Sequence, residues 1–467
     1  MFTIIVACDG KNGISANGTI PWDNKKDREF FRNTTMNNIV IFGRKTYETI
    51  KQPLKNRTIC IISKTLSADS THNKHNTNNT HIFANCWSCI NWCVKHARGR
   101  NIFVCGGAQI YEQFNAIAGL IRKEYISIIT GNYKCDLFYD TKANAKALAT
   151  RNRQYIDNTL TILTRSESYN YEENHMLHVF NYILKHGDVA SNRTGVPTKC
   201  IFGTHMRFSL ANNTFPLMTT RRMFLRGIFE ELMFNLRGQT DTTILEKKGV
   251  NIWKTNTSRE FLDSRGLSDM PVGDMGHTYG FSIRYFGADY KTCKDSYEGQ
   301  GYDQLKQLIS DIKHNPTSRR LIISLWEPNK QERATLPPCV YQYQFYVSGD
   351  GTRLSCMVTQ RSSDIITALG WNVASCALFT ILLASVCDKT PHELILNIGN
   401  AHIYENLYTA AKIQIERKPQ AFPALYIKNK KKKITNYQYS DLLLVNYIAK
   451  RENEYPKDKR IDKITVN

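Results

Sequence analysis

The sequence predicts an α/β domain with a mostly parallel sheet, followed in the same chain by an α+β domain. Three observations carry that expectation. The first 165 residues alternate short, apolar, β-branched runs with helical patterns; a polar break follows at Arg165-Ser166-Glu167-Ser168-Tyr169-Asn170; beyond it, long helices mix with strands without that alternation. With 467 residues, 42% of them hydrophobic, the chain can bury more than one core, and its length suggests roughly two to four domains. It shows no internal repeat.

The first domain's strands read as Phe2 to Ala7, Asn38 to Phe42, Thr58 to Ser63, His81 to Ala84, Asn101 to Val104 and Tyr125 to Thr130. A helix fits between consecutive runs, which favours parallel pairing and places ligands at the carboxyl ends of the strands. Residues 69 to 80 are polar and of low complexity, and read as a surface loop. The break sets a first domain of residues 1–165, a linker of 166–170 and a second domain of 171–467. In the second, Tyr171 to Lys185, Phe224 to Leu236, Tyr302 to Lys313, Ala374 to Ala384 and His402 to Gln414 have helical patterns. Leu321 to Leu325 and Gln342 to Val347 read as strands.

Composition narrows the classes. No stretch is expected to reach the ~20 apolar residues of a membrane span, and the first residues carry no charged leader pattern. Thirteen cysteines, an odd number without a framework, favour reduced thiols and a cytoplasmic location, which makes Asn33-Thr34-Thr35 an incidental sequon. The net charge of +21 is spread along the chain. It fits anionic small substrates, weak attraction to nucleic acid, or a lysine-rich solvated surface.

Several short motifs carry chemistry. Leu336-Pro337-Pro338-Cys339 holds a thiol on extended backbone, and Gln360-Arg361-Ser362-Ser363-Asp364 supplies a cation, hydroxyls and a carboxylate. An arginine near a thiol favours the thiolate, the attacking form. Asp27 and Phe31, four apart after Pro21-Trp22, share one helical face. Such an Asp can hold the N–H donors of a pterin-like ring, or simply complement the helix dipole. Two strand-to-helix turns, Gly43-Arg44-Lys45-Thr46 and Gly106-Gly107-Ala108-Gln109, offer backbone amides to phosphate. Cys86, Cys89, Cys93 and His96 have an incomplete metal-ligand spacing, but the cysteines equally form one apolar helix stripe; no metal is expected.

Through VACDGKNGI, the Pro21-Trp22 to Asp27 spacing, FGRKTYETI and CGGAQIYEQF, residues 1 to 165 resemble dihydrofolate reductase. The resemblance implies an α/β reductase fold and hydride transfer from NADPH. It also implies that Asp27 binds the pterin, Phe31 packs on it and Arg57 pairs with the glutamate carboxylate. Ala7, Ile14, Gly43, Arg44, Lys45, Thr46, Ser63, Lys64, Gly106 and Gly107 would line the NADPH site.

Through Asn192-Arg193-Thr194-Gly195, FPLMTTRR, GQGYDQLKQLI, Ser318-Arg319-Arg320, LPPC, QFYV, QRSSD and Ala401-His402-Ile403-Tyr404, residues 169 to 467 resemble thymidylate synthase. By that resemblance Cys339 is the nucleophile and Glu231 and Tyr279 serve proton movements. Asn372 reads the uracil, His402 and Tyr404 hold the sugar, and Trp253 and Asp364 face the folate. Arg193, Arg361 and Ser362 from one subunit, with Arg319 and Arg320 from its neighbour, would clamp the dUMP phosphate, which implies a homodimer. Val340, Phe234-Asn235, Ser282-Ile283, Ala368, Gly370 and Asn400 depart from the family pattern, as does the C-terminal Asn467.

The two halves together resemble the bifunctional enzymes of protists and plants, and would suit a virus that makes its own nucleotides. The expected function is dTMP synthesis from dUMP and 5,10-methylenetetrahydrofolate, coupled to NADPH-dependent reduction of dihydrofolate, with no membrane partner. The rival is an active reductase whose synthase-like half serves dimerisation or RNA binding.

Overall fold

Runs of Ile, Val and Phe with no polar break form the central strands of the first sheet, because strands covered on both faces need apolar residues at every position. The computed structural model describes residues 1–50, 53–66, 79–143, 148, 150–166, 170–192 and 194–449. Met1–Tyr169 with Leu444–Ile448 forms one compact unit and Asn170–Leu443 another. The first unit's strands are β1 (Phe2–Asp9), β2 (Gly13–Ser15), β3 (Ile39–Gly43), β4 (Thr58–Ile62), β5 (Thr80–Phe83), β6 (Ile102–Val104), β7 (Lys123–Ile129), β8 (Leu137–Phe138), β9 (Thr150–Asp157) and β10 (Leu160–Ser166). Its helices are α1 (Lys25–Thr35), α2 (Arg44–Glu48), α3 (Cys86–His96) and α4 (Ala108–Asn115).

Eight strands form the main sheet in the order β5-β4-β3-β6-β1-β7-β10-β9. From β5 to β7 the pairing is parallel, and β10 and β9 close the edge antiparallel. Ile4, Val40, Ile41, Ile61 and Val104 are fully buried at its centre. All six expected strands are present. Strands β2 and β8 have no counterpart among the expected runs, and β9 with β10 forms the closing hairpin that the 140 to 165 segment looks short for; β9, TRNRQYID, is too polar to read as an apolar run. The expected loop of 69 to 80 lies almost wholly outside the described residues, and Thr80 opens β5 rather than ending that loop.

The second unit contains α5 (Tyr171–His186), β11 (Asp188–Ala190), β12 (Thr198–Ser209), α6 (Leu225–Leu236), α7 (Thr243–Glu246), α8 (Arg259–Ser264), α9 (Tyr279–Tyr285), α10 (Gln304–His314), β13 (Ile322–Ser324), β14 (Val340–Val347), β15 (Arg353–Asp364), α11 (Leu369–Val386), β16 (Thr390–Tyr404), α12 (Tyr408–Ile415) and β17 (Ala424–Ile427). A six-stranded sheet runs β11-β12-β16-β15-β14-β13, antiparallel except for β15 beside β16. Asn170 caps α5 by accepting from the Glu173 amide at 3.0 Å. The buried Glu173 carboxylate in turn accepts from the backbone and hydroxyls of Thr219 and Thr220.

Two expectations need correction here. The helix predicted from Ala374 extends from Leu369 to Val386 and carries no charge, so by length and composition it could cross a membrane. It is instead a core helix, buried along most of its length on β15, β16 and α6. The helix predicted from His402 begins at Tyr408, because His402, Ile403 and Tyr404 pair with Cys200, Lys199 and Thr198 of β12. Ladder pairing on the long strand overrides the local helical pattern.

Candidate active sites

In the first unit, Asn24 caps α1 by accepting from the Asp27 backbone N–H at 3.0 Å, which fixes Asp27 in the first turn. The Ser127 hydroxyl of β7 donates to the Asp27 carboxylate. Burial raises Asp27 above the ordinary carboxylate range, and that one hydrogen bond opposes the rise. One turn on, Phe31 packs against the core of Ile5, Val40, Phe42 and Phe103. Arg57 is buried and tied down, with Nε donating to Thr35 Oγ1 at 3.1 Å, Nη1 to Lys55 O at 2.8 Å and Nη2 to Arg32 O at 2.7 Å. Its position at the end of α1 is therefore set before any ligand binds. Ser127→Ala should move the titration of Asp27 to higher pH, because it removes the one hydrogen bond that favours the carboxylate. Difference infrared titration, with Asp27→Asn as the blank, measures it; an unmoved or lower midpoint counts against the pairing.

The two glycine turns come together. Gly43 N donates to Gly106 O at 2.8 Å, joining the end of β3 to the turn after β6. The Gly106-Gly107 peptide is cis, and a Cβ on Gly107 would lie 2.8 Å from Thr46 Oγ1. Only glycine leaves this cradle open between the starts of α2 and α4. Arg44 bonds Glu48 at 2.9 Å on the surface, and Lys45 is exposed. Ser63 Oγ accepts from the Leu66 amide at 3.0 Å, closing the turn that carries the exposed Lys64. Ala7 lies on β1 and Ile14 on β2, half-buried and buried respectively. Backbone amides, a lysine, an arginine and small residues fit a phosphate-bearing dinucleotide.

In the second unit, three distant segments meet at Cys339. Its backbone N–H donates to Tyr279 Oη at 2.9 Å, and its carbonyl accepts from the Arg361 amide at 2.9 Å. The Arg361 guanidinium is fixed on the two residues before Cys339, with Nε donating to Pro338 O at 3.0 Å and Nη2 to Pro337 O at 2.9 Å. The two prolines thus supply free carbonyls as well as extended backbone.

Glu231, on α6, accepts from Trp253 Nε1 at 2.7 Å and Trp371 Nε1 at 2.5 Å. Burial pushes it above the usual carboxylate range, and the two indoles work against that rise. The reach of Trp371 depends on Gly227, one turn earlier, where a Cβ would lie 2.8 Å from the indole ring. Burial likewise raises the Tyr279 phenol well above its ordinary value, and the nearby Cys339 adds to the rise.

On β15 and β16, His402 Nδ1 lies 2.9 Å from Asn400 Oδ1 and 3.5 Å from Ser362 Oγ, and the Tyr404 ring stands edge-on to it. Burial lowers His402, favouring the neutral ring. Asp364 caps the turn into α11, accepting from the Ile366 amide at 3.0 Å, and Asn372 follows on the first turn of that helix. Phe234, Ser282, Ile283 and Gly370, all departures from the family pattern, are buried core residues.

Not every predicted residue joins this group. Arg319 and Arg320 are exposed, and Arg319 lines a groove of about 390 Å³ with Arg207, Tyr346, Ser355 and Glu393 that includes none of the Cys339 cluster. Arg193 and the C-terminal residues from 450 lie outside the described residues. One functional candidate escaped the sequence reading. Gln360, paired with Val340 next to the thiol, is fully buried, and neither its amide N nor its O has a partner among the described residues. Leaving such groups unpaired costs about 1–3 kcal/mol each, so the position is suited to a ligand's polar edge. Its place directly before Arg361 was the available signal.

A parallel-sheet unit with an open dinucleotide cradle and a buried carboxyl, and a second unit with a thiol beside an anchored arginine and a buried carboxyl, define a two-activity enzyme of reductase and nucleophilic group-transfer type. Family models agree: dihydrofolate reductase matches residues 1–166 and thymidylate synthase residues 174–456. The chain is 35% identical to the bifunctional dihydrofolate reductase-thymidylate synthase of Leishmania major over 96% of this chain and 93% of that protein. It is 37% identical to that of Paramecium tetraurelia over 96% of each. It is also 45% identical to the thymidylate synthase of Saccharomyces cerevisiae, over 60% of this chain and 94% of that one. The chain belongs to the bifunctional dihydrofolate reductase-thymidylate synthase family. It is an enzyme with both activities, using NADPH and 5,10-methylenetetrahydrofolate.

Proposed function

We propose that Cys339 is the nucleophile that makes dTMP and that Asp27 serves the reduction of the dihydrofolate so released. The observation that carries the first half is the meeting of Cys339, Tyr279 and Arg361 from three segments, with the Glu231 carboxyl near enough to Tyr279 to raise its phenol. The Cys339 thiolate forms a bond to C6 of the uracil, and the C5–C6 electron pair shifts toward C5, which attacks the one-carbon unit of the folate; the C5 proton then leaves, the freed tetrahydrofolate gives a hydride to the methylene and departs as dihydrofolate, and the thiolate is released from C6. Glu231, held by two indoles, and Tyr279 relay protons at the ring and the leaving folate. Asn372 reads the uracil edge, His402 and Tyr404 hold the sugar, and Arg361 with Ser362 binds the phosphate, joined by Arg193. Trp253 and Asp364 face the folate.

In the first unit, Asp27 holds the pterin's N–H donors as the ring gains a proton, Phe31 packs on the pterin, and Arg57 pairs with the glutamate tail. NADPH supplies the hydride. The cradle formed by Gly43, Gly106 and Gly107, with Arg44, Lys45, Thr46, Ser63 and Lys64, holds its phosphates, and Ala7 and Ile14 border its ring. Purified chain given dUMP, methylenetetrahydrofolate and NADPH should form dTMP and oxidise NADPH, followed separately. NADPH oxidation without dTMP would favour a synthase-like half kept for dimerisation or RNA binding.

Residues 166–170 form the boundary between the domains, and the thirteen free cysteines fit a cytoplasmic location. The functional form is a homodimer through the second domain. One face of its sheet packs on α11 through Tyr343, Phe345 and Cys356, whereas the other leaves Met357 and Ile395 half-buried and Tyr346 exposed. A second copy would cover this face and bring Arg319 and Arg320 to its neighbour's phosphate. Coexpressed Cys339→Ala and Arg319→Ala chains, each inactive alone, should then regain about half the synthase turnover per dimer, because one mixed site escapes both lesions. No recovery in verified heterodimers argues against shared sites.

A further inference from the structure

Three thiols outside both candidate sites converge in the first unit. Cys60 comes from β4 and Cys89 and Cys93 from successive turns of α3, and their sulfurs all lie within 4.8 Å of one another. Cys60 and Cys93 are 3.9 Å apart. All three side chains are fully buried. This set is not the one the sequence spacing offered. Cys86 donates to Gln113 Oε1 at 3.0 Å, and His96 turns Nδ1 to Trp92 O at 2.8 Å.

Three sulfurs around one cation at bonds of about 2.3 Å stand about 4.0 Å apart when the arrangement is trigonal. The Cys60 to Cys93 separation already matches that span, and the widest pair needs to close by less than an ångström. A structural zinc requires a fourth ligand. Among the described residues no other His, Cys, Asp or Glu joins the group. The donor set therefore favours a soft d10 ion content with three sulfurs, Cu(I) above all. Small apolar residues would fill the same space as well, so packing alone does not call for three thiols at one point.

We propose that Cys60, Cys89 and Cys93 form a three-sulfur site for a thiophilic d10 cation, separate from both reactions. As the metal–sulfur bonds form, the thiol protons pass to solvent and no electron is transferred. Such a bond set would tie α3 to β4 and, by binding only the folded chain, raise its thermal stability.

Cadmium is a convenient probe. Titrating the reduced full chain with Cd²⁺ should give one tight equivalent, read by the ultraviolet thiolate-to-cadmium absorption. Cys93→Ser and Cys60→Ala should each weaken that binding by about a hundredfold, whereas Cys86→Ser should leave it unchanged. Reductase turnover before metal addition certifies the fold of each variant. For wild type, absorption at the cadmium edge should report three sulfur neighbours. A band that survives in the Cys60 and Cys93 variants, that falls equally in Cys86→Ser, or that arises from fewer than three sulfurs, overturns the proposal.

Discussion

Cys339→Ser should lower dTMP formation at least about a thousandfold, ~4 kcal/mol in barrier, and leave NADPH-dependent reduction untouched. A serine hydroxyl is not ionised near neutrality and lacks sulfur's reactivity toward an electron-poor ring carbon. The loss should be chemical rather than structural. Its main chain is held in place on both sides, the amide donating to Tyr279 Oη at 2.9 Å and the carbonyl accepting from Arg361 N at 2.9 Å. Arg361 is itself anchored to the carbonyls of Pro337 and Pro338. Incubation with 5-fluoro-dUMP and methylenetetrahydrofolate should leave a covalent adduct on the Cys339 peptide of wild type, detected by mass spectrometry, and none on the serine variant. Synthase turnover above a tenth of wild type in that variant, or no wild-type adduct at saturating folate, would remove Cys339 from the role.

Placements that follow from short motifs were legible in advance. LPPC and QRSSD named Cys339 and Arg361, and the spacing after Pro21-Trp22 named Asp27 and Phe31, because each motif is local and its residue types are demanding. The central strands were legible too, since burial on both faces leaves no room for polar residues. What the sequence hid is non-local. The bond from Gly43 N to Gly106 O joins turns that lie far apart in the chain. The indole of Trp371 meets Glu231 only because Gly227 lets α11 approach α6. Cys60 joins Cys89 and Cys93 through the packing of α3 on β4, which no spacing rule reports. His402 misled in the opposite direction, its helical pattern yielding to a strand already paired on both sides.

Asp27→Asn should reduce dihydrofolate turnover by about a hundredfold to ten-thousandfold, the range for losing a positioned acid-base group, with dTMP formation unchanged. The substitution keeps the shape of the site. The α1 cap acts on the Asp27 backbone amide, and the Ser127 hydroxyl can donate to an amide oxygen as it does to the carboxylate. Only the charge and the titrating proton disappear. Burial raises the Asp27 carboxyl above its ordinary 3.8, so its contribution to stability is complete below that value and is lost as pH rises through the folded value. At neutral pH the wild-type fold therefore carries a desolvated carboxylate that the amide does not. The asparagine variant should accordingly melt at the same temperature as wild type or higher at pH 7, with that advantage fading toward pH 4. Loss of turnover with retained or increased stability separates a functional carboxylate from a structural one. Reductase activity within twofold of wild type, or a variant that melts well below it at pH 7, would show that Asp27 holds up the helix rather than the substrate.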